Sequence, residues 1–236
     1  MIPWIDIQIY LFLQSLLQQL PLKMYSYKAK HHYQKSEVAK HYDSERFTSW
    51  HGKLAHEMEC RALRYAVDKY FTVAGTVLDV PCGTGRLLEL FSEKRLNVVG
   101  GDISEEMLSI ARRRFTKNPR FLFQKCDVTD LPFNDEAVDF LLSFRLMCHL
   151  PKDVRRSAIK EMIRVTRRVL VINYHFDVKT PLMIFNKLFR KKTCSPYPLL
   201  KRDFWLETEG LNVDVSEIRN LSWYEQSSNI VIMRKR

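Results

Sequence analysis

The sequence predicts an α/β fold, with a doubly wound, mostly parallel sheet of about seven strands and helices on both faces. From Thr76 onward, short apolar runs alternate with segments of helical periodicity, the pattern of βαβ units. A glycine loop, Gly83-Thr84-Gly85, directly follows the first of these runs and precedes a helical segment. The chain has 236 residues, 46% of them hydrophobic, which is enough to bury the core of one such domain.

The predicted elements alternate along the chain. Strands are predicted at residues 76–80, 97–100, 121–124, 138–142 and 169–173, with a closing pair at 211–218 and 229–233. Helices are predicted at residues 51–71, 86–94, 105–115, 152–165, 182–189 and 199–209. In the first helix, the periodic apolar residues are Leu54, Met58, Ala62, Tyr65 and Val67. Ser104 is expected to cap the helix at 105–115, and Gly210 to end the helix at 199–209.

The sequence predicts an N-terminal extension that includes a cofactor-covering segment, residues 1–50, followed by one α/β domain, residues 51–236. The apolar stretch 2–22 is interrupted by Asp6 and several glutamines, so it is a poor membrane span. It also lacks a positive n-region and a small-residue cleavage site, so it is a weak signal peptide. Two interpretations stay open: a helix lying on a membrane surface, or translation that begins at Met24. The absence of Lys and Arg from this stretch argues against the first of them.

The composition limits the classes of partner and site. The net charge of +11 favours an acidic partner, whether a nucleic acid, an anionic membrane or an anionic substrate. The basic residues form only short clusters, so a nucleic acid is the less favoured partner. The five cysteines have neither disulfide-framework nor zinc-site spacing, so we expect no metal. This cysteine usage is typical of a reducing cytoplasm, with peripheral membrane contact through the N-terminal segment as the open alternative.

Acidic residues lie at the ends of three successive predicted strands. They are Asp79, Asp102 and Asp127. Because the carboxyl ends of parallel strands meet at one edge of a sheet, these acids are expected to face one ligand. Asp102 is placed to accept ribose hydroxyls, and Asp127 to accept an adenine amino group. Leu88 stands where a dinucleotide-binding loop has its third glycine, so a pyrophosphate ligand is not favoured.

Four segments resemble the motifs of class I S-adenosylmethionine (SAM)-dependent methyltransferases. These are residues 77–86, 99–108, 126–133 and 138–150. The chain is most similar to the small-molecule group that includes the ubiquinone and menaquinone C-methyltransferases. The resemblance implies a Rossmann-like sheet that ends with an antiparallel strand beside the fifth, and SAM as the methyl donor. Tyr42-Asp43 resembles the segment that folds over the cofactor in relatives.

The resemblance implies a role for individual residues around the cofactor. Asp79, Gly83 and Gly85 would hold its methionine end, Asp102 its ribose, and Ile103 would pack on the adenine. Asp127 and Val128 would read the adenine edge, and Ser143 would flank the sulfonium. The remaining cofactor-binding residues are Pro81, Cys82 and Met107. Relatives more often have Gly or Ala at the position of Pro81, so this loop is expected to be stiffer.

The sequence indicates less about the residues that bind the methyl acceptor. Methyl transfer is an in-line displacement, so catalysis rests mainly on positioning, and a general base is optional. His149 is either that base or a structural residue. Arg145 either binds an acidic group of the acceptor or pairs with a carboxylate. Tyr174 and His175 are candidates for lining the acceptor pocket, and residues 174–198 for its lid.

The sequence therefore predicts an enzyme that transfers a methyl group from SAM to a small-molecule or lipid-like acceptor. One alternative is an RNA-modifying methyltransferase of the same fold. The run Ser143-Phe144-Arg145-Leu146 lacks the Asn/Asp-Pro-Pro-aromatic box of enzymes that methylate base amines, which argues against it. A non-catalytic SAM-binding protein is the other alternative, and the three acids at the strand ends argue against it.

Overall fold

The computed structural model describes residues 37–39, 41–42, 48–92, 94, 96–176, 199–221 and 228–236. The strands are β1 (Thr76–Asp79), β2 (Asn97–Asp102), β3 (Phe121–Lys125), β4 (Val138–Ser143), β5 (Thr166–His175), β6 (Val213–Asn220) and β7 (Ser228–Lys235). The α-helices are α1 (Trp50–Tyr70), α2 (Glu105–Arg114), α3 (Lys152–Val165) and α4 (Lys201–Thr208). Two 3₁₀ helices, Leu88–Phe91 and Met147–His149, follow β1 and β4.

The strands form one seven-stranded sheet in the order β3-β2-β1-β4-β5-β7-β6. Strands β1 to β5 pair in parallel, and β7 is antiparallel to both of its neighbours, β5 and β6. The predicted fold class is confirmed, including the antiparallel strand beside the fifth. Strand order reverses at the β1–β4 pair, so a crevice is expected outside the carboxyl ends of these two strands.

Helices cover both faces of the sheet, as predicted. On one face, α1 and the first 3₁₀ helix pack on apolar residues of the central strands, including Val77 and Phe140. On the other face, α3 and Phe204 of α4 pack on the alternate residues, including Leu78 and Leu141. The middle residues of the central strands, 77–78 in β1 and 140–142 in β4, are therefore apolar on both sides, because neither face meets solvent there.

The structure corrects one of the predicted helices. A regular helix over residues 86–94 is wrong. That segment closes successive turns between residues three apart, such as Leu88 N to Gly85 O at 3.1 Å, so only a short 3₁₀ helix forms. The helix predicted over residues 51–71 is confirmed as α1. Its buried stripe includes Ala62 and Val67 of the predicted periodic residues together with Leu63 and Ala66, whereas Leu54 is 37% exposed. The predicted helix at 182–189 and most of the predicted lid lie outside the described residues.

The local end signals of α2 and α4 lie where the sequence places them. Ser104 caps α2, and its hydroxyl accepts a hydrogen bond from Met107 N at 3.3 Å. Gly210 follows α4 with φ +74°, in the left-handed region that favours glycine. Over the described residues, no helix is long and apolar enough to cross a membrane.

Candidate active site

The glycine loop begins where β1 ends, at the crevice between β1 and β4. Gly83 and Gly85 have φ values of +54° and +80°, which residues other than glycine rarely adopt. A Cβ on Gly85 would lie 2.9 Å from Phe115 Cε2, so this glycine is also needed for packing. A Cβ on Gly83 would have no atom within 4 Å, so the loop backbone is open on this side. That opening lets a ligand approach the loop closely.

Asp102, the last residue of β2, is bonded to this loop. Its Oδ2 accepts a hydrogen bond from Gly83 N at 2.9 Å, and its Oδ1 accepts one from Ser104 N at 2.9 Å. Each carboxylate oxygen has a second lone pair, so Asp102 retains the capacity to accept two ribose hydroxyls. Burial raises the pKa of Asp102 to about 6, while the backbone donors at Ser104 and Gly83 act in the opposite direction.

The last residues of the neighbouring strands β1 and β4 each carry a buried polar side-chain atom. Within the described part of the chain, Asp79 Oδ1 and Ser143 Oγ have no hydrogen-bond partner. A buried polar atom left without a partner costs about 1–3 kcal/mol, so such atoms in a native protein call for one. A ligand with an ammonium group and other polar atoms, such as the methionine end of SAM, fits this need. Burial and the nearby carboxyl of Asp102 raise the pKa of Asp79 to about 8, and the charge of Arg86 opposes them.

The predicted adenine side lies beyond the ends of β2 and β3. Asp127 Oδ1 accepts hydrogen bonds from Thr129 N at 3.0 Å and Thr129 Oγ1 at 2.8 Å, which orients its carboxylate. Val128 and Met107 are buried, and Ile103 is half-buried. In the glycine loop, Pro81 is half-buried after a cis peptide bond and Cys82 is buried. The binding roles of these residues remain predictions.

Arg145 follows β4 and is held by other parts of the fold at its backbone and at its side chain. Its N–H donates to Asn173 Oδ1 at 3.3 Å, and its Nε lies 2.6 Å from Glu59 Oε1. Of the two sequence interpretations, the structure contains the pairing with a carboxylate. Burial lowers the pKa of Arg145, but the charge of Glu59 and its hydrogen bond raise it, and the net shift is upward. Contact with an acceptor stays a prediction.

The other acceptor-side candidates have different surroundings. His149 is half-buried at the end of the second 3₁₀ helix, and His175 is half-buried at the end of β5. Tyr174 is fully buried and packs against the rings of Phe176 and Phe204, at centroid distances of 5.5 and 5.1 Å. Tyr174 therefore belongs to the core under α3 and α4, and its role at the acceptor remains a prediction, as do those of the two histidines.

Sequence reasoning missed Glu59 of α1, which is only 4% exposed. Its Oε2 lies 2.7 Å from Arg86 Nη2, in addition to the contact with Arg145. The signal was present, because Glu59 lies four residues before Leu63 and seven before Ala66, on the same buried helix face. A carboxylate in that position needs a charged or hydrogen-bonding partner.

The described residues contain neither a candidate metal site nor a disulfide. No three His, Cys, Asp or Glu side chains of the described ranges group so that they could hold a metal ion. The described cysteines, Cys60, Cys82, Cys126 and Cys148, are buried and form no disulfide with one another. Burial and the neighbouring carboxyl of Asp102 raise the pKa of the Cys82 and Cys126 thiols.

Comparison with known proteins gives several matches. The family model described as a methyltransferase domain matches residues 77–168. The demethylmenaquinone methyltransferase of Clavibacter sepedonicus is 36% identical over 160 residues, which cover 65% of this chain and 57% of that protein. The probable tRNA methyltransferase 9B of Homo sapiens is 37% identical over 90 residues, which cover 38% of this chain and 18% of that protein. The chain thus spans less than two thirds of the length of these curated relatives.

A solved structure extends the likeness across the fold. Magnesium protoporphyrin IX methyltransferase from Synechocystis PCC 6803, crystallised with bound SAM, has a TM-score of 0.69. The alignment covers 91% of this chain and 100% of that chain, at 16% sequence identity. At 16% identity, this similarity shows that the two proteins share a fold and nothing further.

Proposed function

We propose that this protein, whose residues 77–168 match a methyltransferase domain, transfers a methyl group from SAM to a small-molecule or lipid-like acceptor. One observation carries the donor half of this proposal. Asp79 and Ser143 present buried polar atoms without partners at the switch point of the sheet, beside a glycine loop tied to Asp102. This arrangement supports a ligand with a polar amino-acid end and a ribose.

The residues of the chain would act mainly by positioning. SAM, when bound, supplies an electrophilic methyl group on its sulfonium. Asp79 would hold the ammonium of its methionine end, and Asp102 would hold the ribose hydroxyls. With the donor fixed at two ends, the acceptor needs only to be held in line at near-attack distance. The chain offers His149 and His175 as proton acceptors near the carboxyl edge for acceptors that need a base.

The relatives support the class of acceptor. The Clavibacter enzyme is named for a quinone, and the Synechocystis enzyme for a porphyrin. RNA is the second candidate, because tRNA methyltransferases are also among the relatives and the chain carries a net charge of +11. The positive net charge favours association with RNA, but it does not indicate which nucleobase would be methylated.

The acceptor class is tested by following the methyl group. The protein is incubated with SAM carrying a tritiated methyl group and an extract of the source cells, and the products are separated into lipid, small-molecule, protein and RNA pools. We expect label in the lipid or small-molecule pool and none above background with the Asp102→Ala variant. Label in RNA would establish the second candidate instead. A protein that binds SAM but labels no pool would contradict the proposed activity.

A pH dependence of SAM binding is expected from Asp79. In the ligand-free protein its pKa is about 8, so at pH 7 its carboxyl is mostly protonated. An ammonium group at Asp79 favours the ionised form, so binding releases a proton and affinity rises with pH from 5.5 to 7.5. Calorimetry in two buffers of different ionisation enthalpy measures that release directly.

The matched control for this pH dependence is Asp79→Asn, which cannot ionise at this position. In this variant the proton release at pH 7 should disappear, whatever its effect on affinity. Equal proton release from the variant and the native protein would mean that another group titrates. Affinity independent of pH in the native protein would contradict a contact between Asp79 and the ammonium.

A further inference from the structure

One buried carboxylate joins the donor and acceptor sides of the candidate site. Glu59 accepts from Arg86 Nη2 at 2.7 Å with one oxygen and from Arg145 Nε at 2.6 Å with the other. Arg86 directly follows the glycine loop after β1, and Arg145 is the second residue after β4. Because β1 and β4 are hydrogen-bonded neighbours, Glu59 spans the crevice between the two halves of the site.

The bend at Arg145 has a backbone conformation that needs support. Its φ is +55°, and Glu136 is the other non-glycine residue with positive φ in the described ranges. Such a conformation costs about 1 kcal/mol or more and persists where the surroundings enforce it. Asn173 of β5 accepts from Arg145 N, and its Nδ2 donates to Asn229 O of β7 at 3.0 Å. The backbone of the bend is thus anchored to the sheet, and its side chain to α1.

Arg86 links the same carboxylate to the donor side. Its charge acts on Asp79, where it opposes the increase in the pKa of that carboxyl, so Arg86 lies within electrostatic reach of the strand end. Its Nη1 also contacts His56 Nδ1 on α1. Ion pairs between Arg and a carboxylate are strong and directional when buried. A substitution of Glu59 therefore removes an ion pair from both Arg86 and Arg145.

We propose that Glu59 is a positioning residue for methyl transfer, which holds the glycine loop through Arg86 and the bend after β4 through Arg145 in one arrangement. This inference rests on the proposed function. Glu59 is on α1, outside the segment 77–168 that matches the methyltransferase domain. The N-terminal helix thereby becomes part of the site, since it aligns the donor and acceptor sides.

Helix α1 is attached to the sheet at a second place, independently of Glu59. At its C-terminal end, Tyr70 OH and Lys69 Nζ donate to Glu217 of β6 at 2.9 and 3.0 Å. Its buried stripe also packs on the sheet through Leu63 and Ala66. We therefore expect α1 to remain docked when the charge of Glu59 is removed, so that the effect on the site is measured in a folded protein.

The test compares Glu59→Gln with Glu57→Gln. Glu57 is a half-buried residue of the same helix that pairs with Arg61 at 3.1 Å. Glutamine keeps the shape but presents one oxygen acceptor and an N–H group to the arginines. We expect SAM affinity by calorimetry to fall about tenfold in Glu59→Gln, the equivalent of one charge-assisted hydrogen bond. We expect kcat for the labelled acceptor pool to fall further, because both sides are misaligned. Glu57→Gln should stay within about twofold of the native protein on both measures.

Glu59→Asp provides the conservative variant and guards against a failure of Glu59→Gln to fold. It keeps the charge but is shorter by one methylene, so it can reach one arginine well, and intermediate SAM affinity is expected. Native SAM affinity and kcat in Glu59→Asp and Glu59→Gln, with only a lower unfolding temperature, would overturn the proposal. Should the native protein bind SAM and transfer no methyl group, the proposed function fails, while the affinity comparison still decides the role of Glu59.

Discussion

Replacing Asp102 by alanine is expected to weaken SAM binding by at least about a hundredfold, because at least two hydrogen bonds to a charged group are lost. The carboxylate now accepts from Gly83 N and Ser104 N, and it is the predicted acceptor for the ribose hydroxyls. The substitution therefore removes the predicted ligand contact and also the side-chain bond between the glycine loop and β2, while Cys82 N still donates to Gly101 O at 2.8 Å. Calorimetric titration with SAM at pH 7.5, above the pKa of about 6, measures the loss in the ionised state.

The control is Asp130→Ala, which removes an exposed acid at the same edge of the sheet. This variant should bind SAM as the native protein does, and circular dichroism should show both variants folded. His149→Ala should lower turnover by less than Asp102→Ala. An Asp102→Ala protein that is folded and binds SAM within about tenfold of the native affinity would make the ribose assignment wrong, since one hydrogen bond to a charged group already accounts for such a factor.

The second large effect is expected at the buried ion pair between Arg155 of α3 and Glu207 of α4. The two side chains are only 3% and 1% exposed. Arg155 donates from Nε and Nη2 to Glu207 Oε1 at 3.0 and 2.8 Å, and from Nη1 to Leu150 O at 2.9 Å. In Glu207→Ala the guanidinium stays buried without its counter-charge, which costs about 3–5 kcal/mol. The midpoint of thermal unfolding should fall by roughly 6–20 °C for a chain of this size.

Two further variants separate the ion pair from other effects on α4. Glu209→Ala, just beyond the helix, removes an exposed carboxylate and should leave the unfolding midpoint within about 2 °C. The double variant Arg155→Met/Glu207→Leu replaces both charges by apolar groups and should recover most of the stability. A double variant as unstable as Glu207→Ala would show that packing volume, and not the unpaired charge, dominates the loss.

Local sequence signals predicted most of the fold. Strand positions follow from short apolar runs, and Ser104 and Gly210 mark helix ends because capping involves neighbours within a few residues. The order of strands and loops also predicted that Asp79, Asp102 and the glycine loop share one edge. The hydrogen bond from Gly83 N to Asp102 Oδ2 joins that acid to the loop at this edge.

Other features depended on contacts that no local pattern encodes. The segment after Gly85 forms 3₁₀ turns although its apolar spacing predicted a helix. The partner of Arg145 was undecided in the sequence, because Glu59 lies far away along the chain. The pair forms only when α1 packs across the sheet.

The sequence by itself determined the fold class, the glycine loop and the acids at the strand ends, since these arise from periodicity and from residue types at fixed spacing. The tertiary structure alone decided which carboxylate meets which arginine, and it placed Glu59 between Arg86 and Arg145. The physical reason is that a buried charge is stabilised by the partner that folding brings beside it, and that partner comes from a distant element.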